Sequence, residues 1–317
     1  MSVTPQQPSP PTRPVLAAFG AEGPPQPLPG GRGGTWCADG IVLKETGMLA
    51  ETAWRAQTIA ALPESEQFRV APPVRNRDGT WTAYGWEAWR LVPGEPDPHR
   101  VEDIVRAGEA FHAALADLER PAFLDVRDDP WSRADRLSWG EEMPGPRAQD
   151  SRNPAVRGPA AEGDEAGHGA PAGDFELLRQ LLAAREPLAD DTAQLVHGDL
   201  LGNVLFAEGL PPAIIDWPPY WRPPGWASAV AVVDALCWYD ASPELPARWA
   251  HIPDWRQLLV RALIYRMATV EELDREADAT FRPVCDLVLS ARWPRSAGSP
   301  DSPSDLPTSS PLSASHS

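Results

Sequence analysis

Residues 195–226 read LVHGDLLGNVLFAEGLPPAIIDWPPYWRPPGW. Apolar runs at 194–196, 204–206 and 213–215 are short and bounded by turn formers, the pattern of buried strands. The stretch therefore predicts strand, polar turn, strand, turn, strand and a final polar turn. His197, Asp199 and Asn203 fall in the first loop and Asp216 at the exit of the third strand, with almost no other charge nearby. Oxygen-bearing side chains gathered at strand ends suit the task of holding magnesium and a nucleophilic hydroxyl beside a phosphate. Each piece alone is ordinary, since IIDW is also what a strand ending on a capping aspartate looks like. Order and spacing carry the specificity.

His197-Gly198-Asp199 with Asn203, followed by Ile214-Ile215-Asp216-Trp217, resembles the catalytic and metal loops of the aminoglycoside phosphotransferase group, small-molecule relatives of the protein kinases. The resemblance implies an α+β, two-lobed protein-kinase-like fold with a small β-rich N-lobe and a larger helical C-lobe. It implies ATP and Mg2+ as cofactors and a small-molecule hydroxyl as acceptor. Asp199 would accept or orient that hydroxyl, Asn203 and Asp216 would bind the metal, and His197 would brace the loop. The group leaves four residues between the Asp and the Asn, whereas Leu200, Leu201 and Gly202 are only three. Gly202 could absorb the deletion through backbone angles closed to other residues, or the shortening could turn Asn203 away from the metal.

Upstream, Gly30, Gly31, Gly33 and Gly34 precede an apolar strand, Ile41-Val42-Leu43, that ends on Lys44. Glycines let backbone N–H groups approach an anion, and a lysine supplies a compact positive charge. The resemblance makes these the cover and the cation of the nucleotide phosphates. A helix is predicted over 49–62, ending before Pro63, with Glu51 in its first turn. Glu51 could pair with Lys44 as the corresponding helix glutamate does in kinases, or serve as an N-terminal acid favoured by the helix dipole. Strands are predicted over 68–74 and 80–92, joined at an Asp78-Gly79 turn. The resemblance implies an interlobe hinge near Leu91-Val92-Pro93-Gly94.

Helices are expected at 100–118, 132–141, 175–184, 227–239, 255–270 and 281–289, and 15–19 reads as either a short helix or a strand. Asp234 is the single interior charge of the apolar run AVAVVDALCWY in the 227–239 helix, and a buried aspartate needs partners. The resemblance makes it a support for the catalytic loop. PPYWRPPGW, rich in proline and aromatics, should be stiff. Trp221 and Arg222 are either one wall of an acceptor pocket or packing residues.

Composition sets the outer bounds. Hydrophobic residues make up 42% and charged ones 23%, which is ordinary globular usage, but 38 prolines in 317 residues is more than twice the average. We expect tails at 1–13 and 293–317 and a flexible insertion at 143–173, leaving an N-lobe over 14–93 and a C-lobe over 94–292. A net charge of −17 speaks against nucleic acid and anionic membranes as partners. Cys37, Cys237 and Cys285 are too widely spaced for a disulfide frame or zinc site, and no apolar run reaches membrane-spanning length. A cytoplasmic protein without a secretory leader is the expectation. The reading is a magnesium-dependent small-molecule phosphotransferase, with a catalytically impaired nucleotide-binding module as its alternative. A hydrolase lacks support, since no GxSxG elbow or HExxH helix occurs.

Overall fold

The computed structural model describes residues 9–29, 33–143, 172–273 and 279–290. Gly30, Gly31, most of the 143–173 insertion, most of the 1–13 tail and all of the 293–317 tail lie outside the described residues. The 15–19 run belongs to a helix, α1 (Arg13–Ala18).

Antiparallel pairing builds the first sheet from β1 (Gln26–Pro27), β2 (Thr35–Ala38), β3 (Ile41–Glu45), β5 (Thr82–Ala83) and β6 (Trp86–Arg90), in the order β1-β2-β3-β6-β5. Val15, Leu16 and Phe19 of the α1 region close a small core with Ile41, Leu43, Trp86 and Ala88. The strand predicted over 80–92 is broken: Tyr84 and Gly85 take φ of 54° and 79° and turn β5 into β6. Two successive left-handed residues match the right-handed twist of a hairpin, which is why the chain folds back there. Asp78-Gly79 also turns, held by Asn76, whose Oδ1 accepts from the N–H of Asp78 and Thr80.

α2 (Leu49–Ala61) follows β3, and β4 (Arg69–Val70) pairs in parallel with β10 (Ala213–Ile214). β10 continues through β9 (Val204–Phe206) to β7 (Glu95–Pro96), so a second small sheet stitches the N-terminal half to the 195–226 stretch. β8 (Gln194–His197) pairs with β11 (Pro219–Arg222), bringing His197 opposite Pro219.

The helical lobe comprises α3 (Val101–Leu115), α4 (Pro130–Trp139), α5 (Ala172–Ala183), α6 (Pro224–Trp238), α7 (Trp255–Glu272) and α8 (Phe281–Ser290). Asp129 and Ser132 form a reciprocal capping box at the start of α4, and Gly140 ends it in the left-handed conformation. α6 and α7 are buried on nearly every side. α6 is apolar nearly all round, as a helix at the centre of a core must be, whereas α7 buries Gln257, Arg261 and Arg266 among its apolar residues, and the two pack together beneath the 198–203 loop. No helix among the described residues is long and apolar enough to cross a membrane. The architecture is mixed α+β in two lobes.

Candidate active site

The loop between β8 and β9 is shaped by two glycines for different reasons. A Cβ on Gly198 would lie 2.3 Å from the Tyr220 ring, so the backbone passes where no side chain fits. Gly202 has open space around it but a φ of 86°, the left-handed turn that closes the shortened loop. Asn203 N–H then reaches the Leu200 carbonyl at 2.9 Å, and its Nδ2 donates to the Asp199 carbonyl at 2.7 Å and to Asp199 Oδ2 at 3.3 Å. Among the described residues no donor meets Asn203 Oδ1, which is left as an available acceptor. Ile215 N–H donates to the Asn203 carbonyl at 3.0 Å, so the β9–β10 hairpin sets Asn203 beside the Asp216 segment.

His197 is fully buried and bridges the two loops. Its Nδ1 accepts from Asp199 N–H at 3.1 Å, which makes Nε2 the donor to the Ile215 carbonyl at 3.0 Å. Its own N–H donates to His112 Nε2 at 2.9 Å. Burial lowers the pKa of both imidazoles, that of His112 to about 3, so both rings are neutral. A neutral His197 thus hydrogen-bonds to both loops without carrying charge.

Asp216 adopts φ of 49°, a sparsely populated conformation for a residue other than glycine or asparagine, at the point where the strand ends. Lys44 Nζ lies 2.8 Å from its Oδ1. Burial alone would raise the Asp216 pKa, but the Lys44 ammonium and then Arg55 outweigh it and hold the carboxyl below the usual range.

Asp234 meets its partner in Arg266 of α7. Arg266 Nε donates to Asp234 Oδ1 at 2.7 Å and Nη2 to its Oδ2, and the same Nη2 reaches Asp199 Oδ1 at 2.6 Å. Burial works against the arginine charge, yet Asp234 and Asp199 raise its pKa well above the ordinary value. The link from Asp234 to the loop therefore passes through a guanidinium.

Glu51 is not placed against Lys44. It sits 3.5 Å from Arg127, whose Nη1 also donates to the Pro219 carbonyl at 2.9 Å, so the acid of the first turn of α2 faces the helical lobe. Burial raises the Glu51 pKa, with Arg127 acting in the opposite direction. One turn further along α2, Arg55 Nη2 meets both oxygens of Glu87 at 2.6 and 2.7 Å, and Glu87 stands directly across β3–β6 from Lys44. Helix and sheet are joined by a pair of reversed polarity, with the cation on the helix. Arg55, Glu87, Arg127 and Arg266 were all missed by sequence reading. The available signal was a charge flanked by apolar residues, as Glu87 is by Trp86 and Ala88, which indicates a buried partner without naming it.

A cavity of about 440 Å3 runs between the lobes. Its polar end carries Lys44, Arg55, Asn203 and Asp216, and its apolar end Val42, Val70, Leu205 and Ile214. Leu28, Pro29 and Thr35, flanking the glycine-rich turn, also line it, and Gly33 adopts φ of 78° in that turn. Leu91, Val92 and Gly94 form its edge at the expected hinge, with the Leu91 N–H donated to the Gly40 carbonyl at 2.9 Å. Gly94 has φ of 129°, and a Cβ there would lie 3.0 Å from the Phe206 carbonyl oxygen. Arg222 is engaged elsewhere: Asp135 takes its Nε and Nη2 at 3.0 and 2.7 Å and Glu141 its Nη1 at 2.6 Å, over the Trp139 ring. The side chain ties β11 to α4, the packing alternative.

No family model matches the chain, and no curated protein matches it. Solved structures do. Spectinomycin phosphotransferase APH(9)-Ia, in complex with ADP and spectinomycin, is 12% identical, with 87% of this chain and 95% of that chain covered at a TM-score of 0.51. A thermostable mutant of aminoglycoside phosphotransferase APH(4)-Ia in its apo form is 15% identical, with 87% and 97% covered at a TM-score of 0.50. At such identities the likeness is one of fold: the chain has the aminoglycoside phosphotransferase-like form of the protein-kinase-like fold.

Proposed function

We propose that the protein transfers the γ-phosphoryl group of ATP to a hydroxyl of a small molecule, with magnesium. One observation carries this reading: Lys44, Asn203 and Asp216, distant in sequence, converge on the polar end of the interlobe cavity, and Asp199 belongs to the same loop as Asn203. The fold neighbour bound to ADP and spectinomycin is consistent with it.

The donor set fits a hard divalent cation. Asp216 offers a carboxylate and Asn203 an amide oxygen whose nitrogen is turned to Asp199. Among the described residues no cluster of three or more His, Cys, Asp or Glu side chains competes as a metal centre. Magnesium is commonly held by one or two protein oxygens, phosphates and water, so Asp216 and Asn203 suffice. When bound it supplies charge neutralisation at the phosphates.

In the transfer, the acceptor oxygen forms a bond to the γ-phosphorus as the bond from γ-phosphorus to the β–γ bridging oxygen breaks, and ADP leaves. The hydroxyl proton passes to Asp199 Oδ2, the oxygen not engaged by Arg266. Positioned proton acceptance contributes about 10²–10⁴ in rate. Lys44 is released from Asp216 to the phosphates, and His197 with Arg266 keeps the loop in register. Protein positioning and charge are most of what phosphoryl transfer requires.

A second reading, a nucleotide-binding module without turnover, is favoured by the 2.6 Å contact that Arg266 makes with Asp199. Thermal unfolding with and without magnesium-ATP tests the main reading, beside Asp216→Ala and Asp199→Ala. Ligand at a hundred times its Kd adds about 2.7 kcal/mol of stability. The wild type and Asp199→Ala should shift, with Asp216→Ala losing the metal-dependent part. No shift in any variant rejects the nucleotide site, and a shift without phosphoryl transfer to any of a panel of alcohols favours the module.

A further inference from the structure

The ion pair between α2 and the sheet leaves guanidinium donors of a cavity-lining residue without strong partners. Arg55 is largely buried, with its side chain 14% exposed, and it lines the cavity together with Lys44 and Asp216. Glu87 engages only Nη2, taking it with both carboxylate oxygens. Nη1 makes one long contact, 3.4 Å, to the Trp217 carbonyl, and Nε is buried without a partner. A guanidinium has five N–H donors in a planar fork, and a buried donor left unmade is costly. Glu87 therefore anchors the side chain from one edge and leaves Nε and part of Nη1 unengaged.

The surroundings say what those donors fit. The groups facing Arg55 are Glu87, Asp216 and Glu51, and Lys44 stands beside Glu87 on the same face of the sheet. Lys44 and Arg55 balance Glu87 and Asp216 at this end of the cavity. A magnesium-bound triphosphate brings a surplus of negative charge, and planar donors match phosphate oxygens in pairs.

We propose that Arg55, anchored by Glu87, is a second phosphate-binding cation of the nucleotide cavity, acting beside Lys44. The inference rests on the phosphotransferase reading above. Glu87 is then a positioning residue, holding the guanidinium so that little side-chain freedom is lost when phosphate binds. On the same reading the apolar end of the cavity would take the base, so adenosine reports on that end and magnesium-ATP on both.

Calorimetric titration of the full chain with magnesium-ATP and, separately, with adenosine tests the assignment in the wild type, Arg55→Lys and the double variant Arg55→Met/Glu87→Gln. The double variant removes both buried charges together, so no lone charge is left to unfold the protein. It should bind adenosine within about twofold of the wild type and magnesium-ATP about 10- to 100-fold more weakly, the range of one or two hydrogen bonds to a charged group. Arg55→Lys should recover part of the loss. Equal weakening of adenosine and magnesium-ATP makes Arg55 a purely structural residue and overturns the proposal, as does unchanged magnesium-ATP affinity in the double variant. A wild type that binds neither ligand overturns the nucleotide reading and the inference with it.

Discussion

Arg266 Nη2 stands 2.6 Å from Asp199 Oδ1 while the same guanidinium holds Asp234 from beneath, so one buried arginine of α7 fixes both the loop aspartate and the helix aspartate. The charges are mutually dependent, and removing one exposes the others to burial without compensation.

Arg266→Met should cost about 3–5 kcal/mol, because it leaves Asp234 as an unpaired buried charge. Asp234→Asn/Arg266→Met should recover much of that loss. Urea denaturation of the wild type, both single variants and the double forms the cycle, and a double variant as unstable as Arg266→Met would contradict the pairing.

The contribution of His112 and His197 to folding stability should fall as the pH drops below about 6.5, against the opposite contribution of Asp234, whose pKa burial raises to about 6. His112 and His197 are buried neutral, with pKa values lowered by burial, that of His112 to about 3 from 6.5. The unfolded chain therefore binds more protons below 6.5, so the contribution of each ring is complete above that pH and declines beneath it. The slope is up to about 1.4 kcal/mol per pH unit for each histidine. His112→Gln, which keeps an acceptor for the His197 N–H, should flatten the pH dependence measured by urea titration between pH 4.5 and 7, conditions set by the ordinary histidine range. Equal slopes in both proteins would refute the assignment.

Gly198→Ala should destabilise by about 1–3 kcal/mol through overpacking, since the new methyl meets the Tyr220 ring at 2.3 Å. Tyr220 cannot withdraw freely, because its hydroxyl meets Tyr265 at 3.0 Å and Arg127 lies over its ring. A melting temperature equal to wild type would mean that the loop passes further from the ring.

Gly202→Ala tests a different cost. Nothing lies within 4 Å of the added Cβ, so the penalty is conformational, about 1 kcal/mol for φ of 86°. Gly202→Asn should be milder, because asparagine tolerates the left-handed region. Chemical denaturation of the two variants ranks them, and the opposite order would show that space rather than backbone angle decides.

Much of the fold was legible because its signals are local. Gly202 beside the shortened loop and the apolar faces of α3 and α6 each speak through neighbours a few positions away. The exception at Tyr84 is instructive. An aromatic residue within an alternating run reads as strand, yet Tyr84 lies at the hairpin tip and is 73% exposed. The left-handed angle it shares with Gly85 outweighed strand propensity.

The site divides in the same way. Sequence spacing alone sets His197, Asp199 and Asn203 close together, with His197 the last residue of β8 and the other two in the loop that follows, and Lys44 lies in a strand recognisable by its apolar run. Their electrostatic partners were hidden. Arg55 and Glu87 are separated by 32 positions, Arg266 and Asp199 by 67, and Arg127 and Glu51 by 76. The sequence by itself determined the order of elements, the turns and the residue types available for chemistry, since backbone preferences depend on near neighbours. Only the tertiary structure decided that Lys44 faces Asp216, that Arg55 takes Glu87, and that Arg266 joins Asp199 to Asp234. Charge pairing depends on distance and burial in space, and those exist only once the lobes have packed.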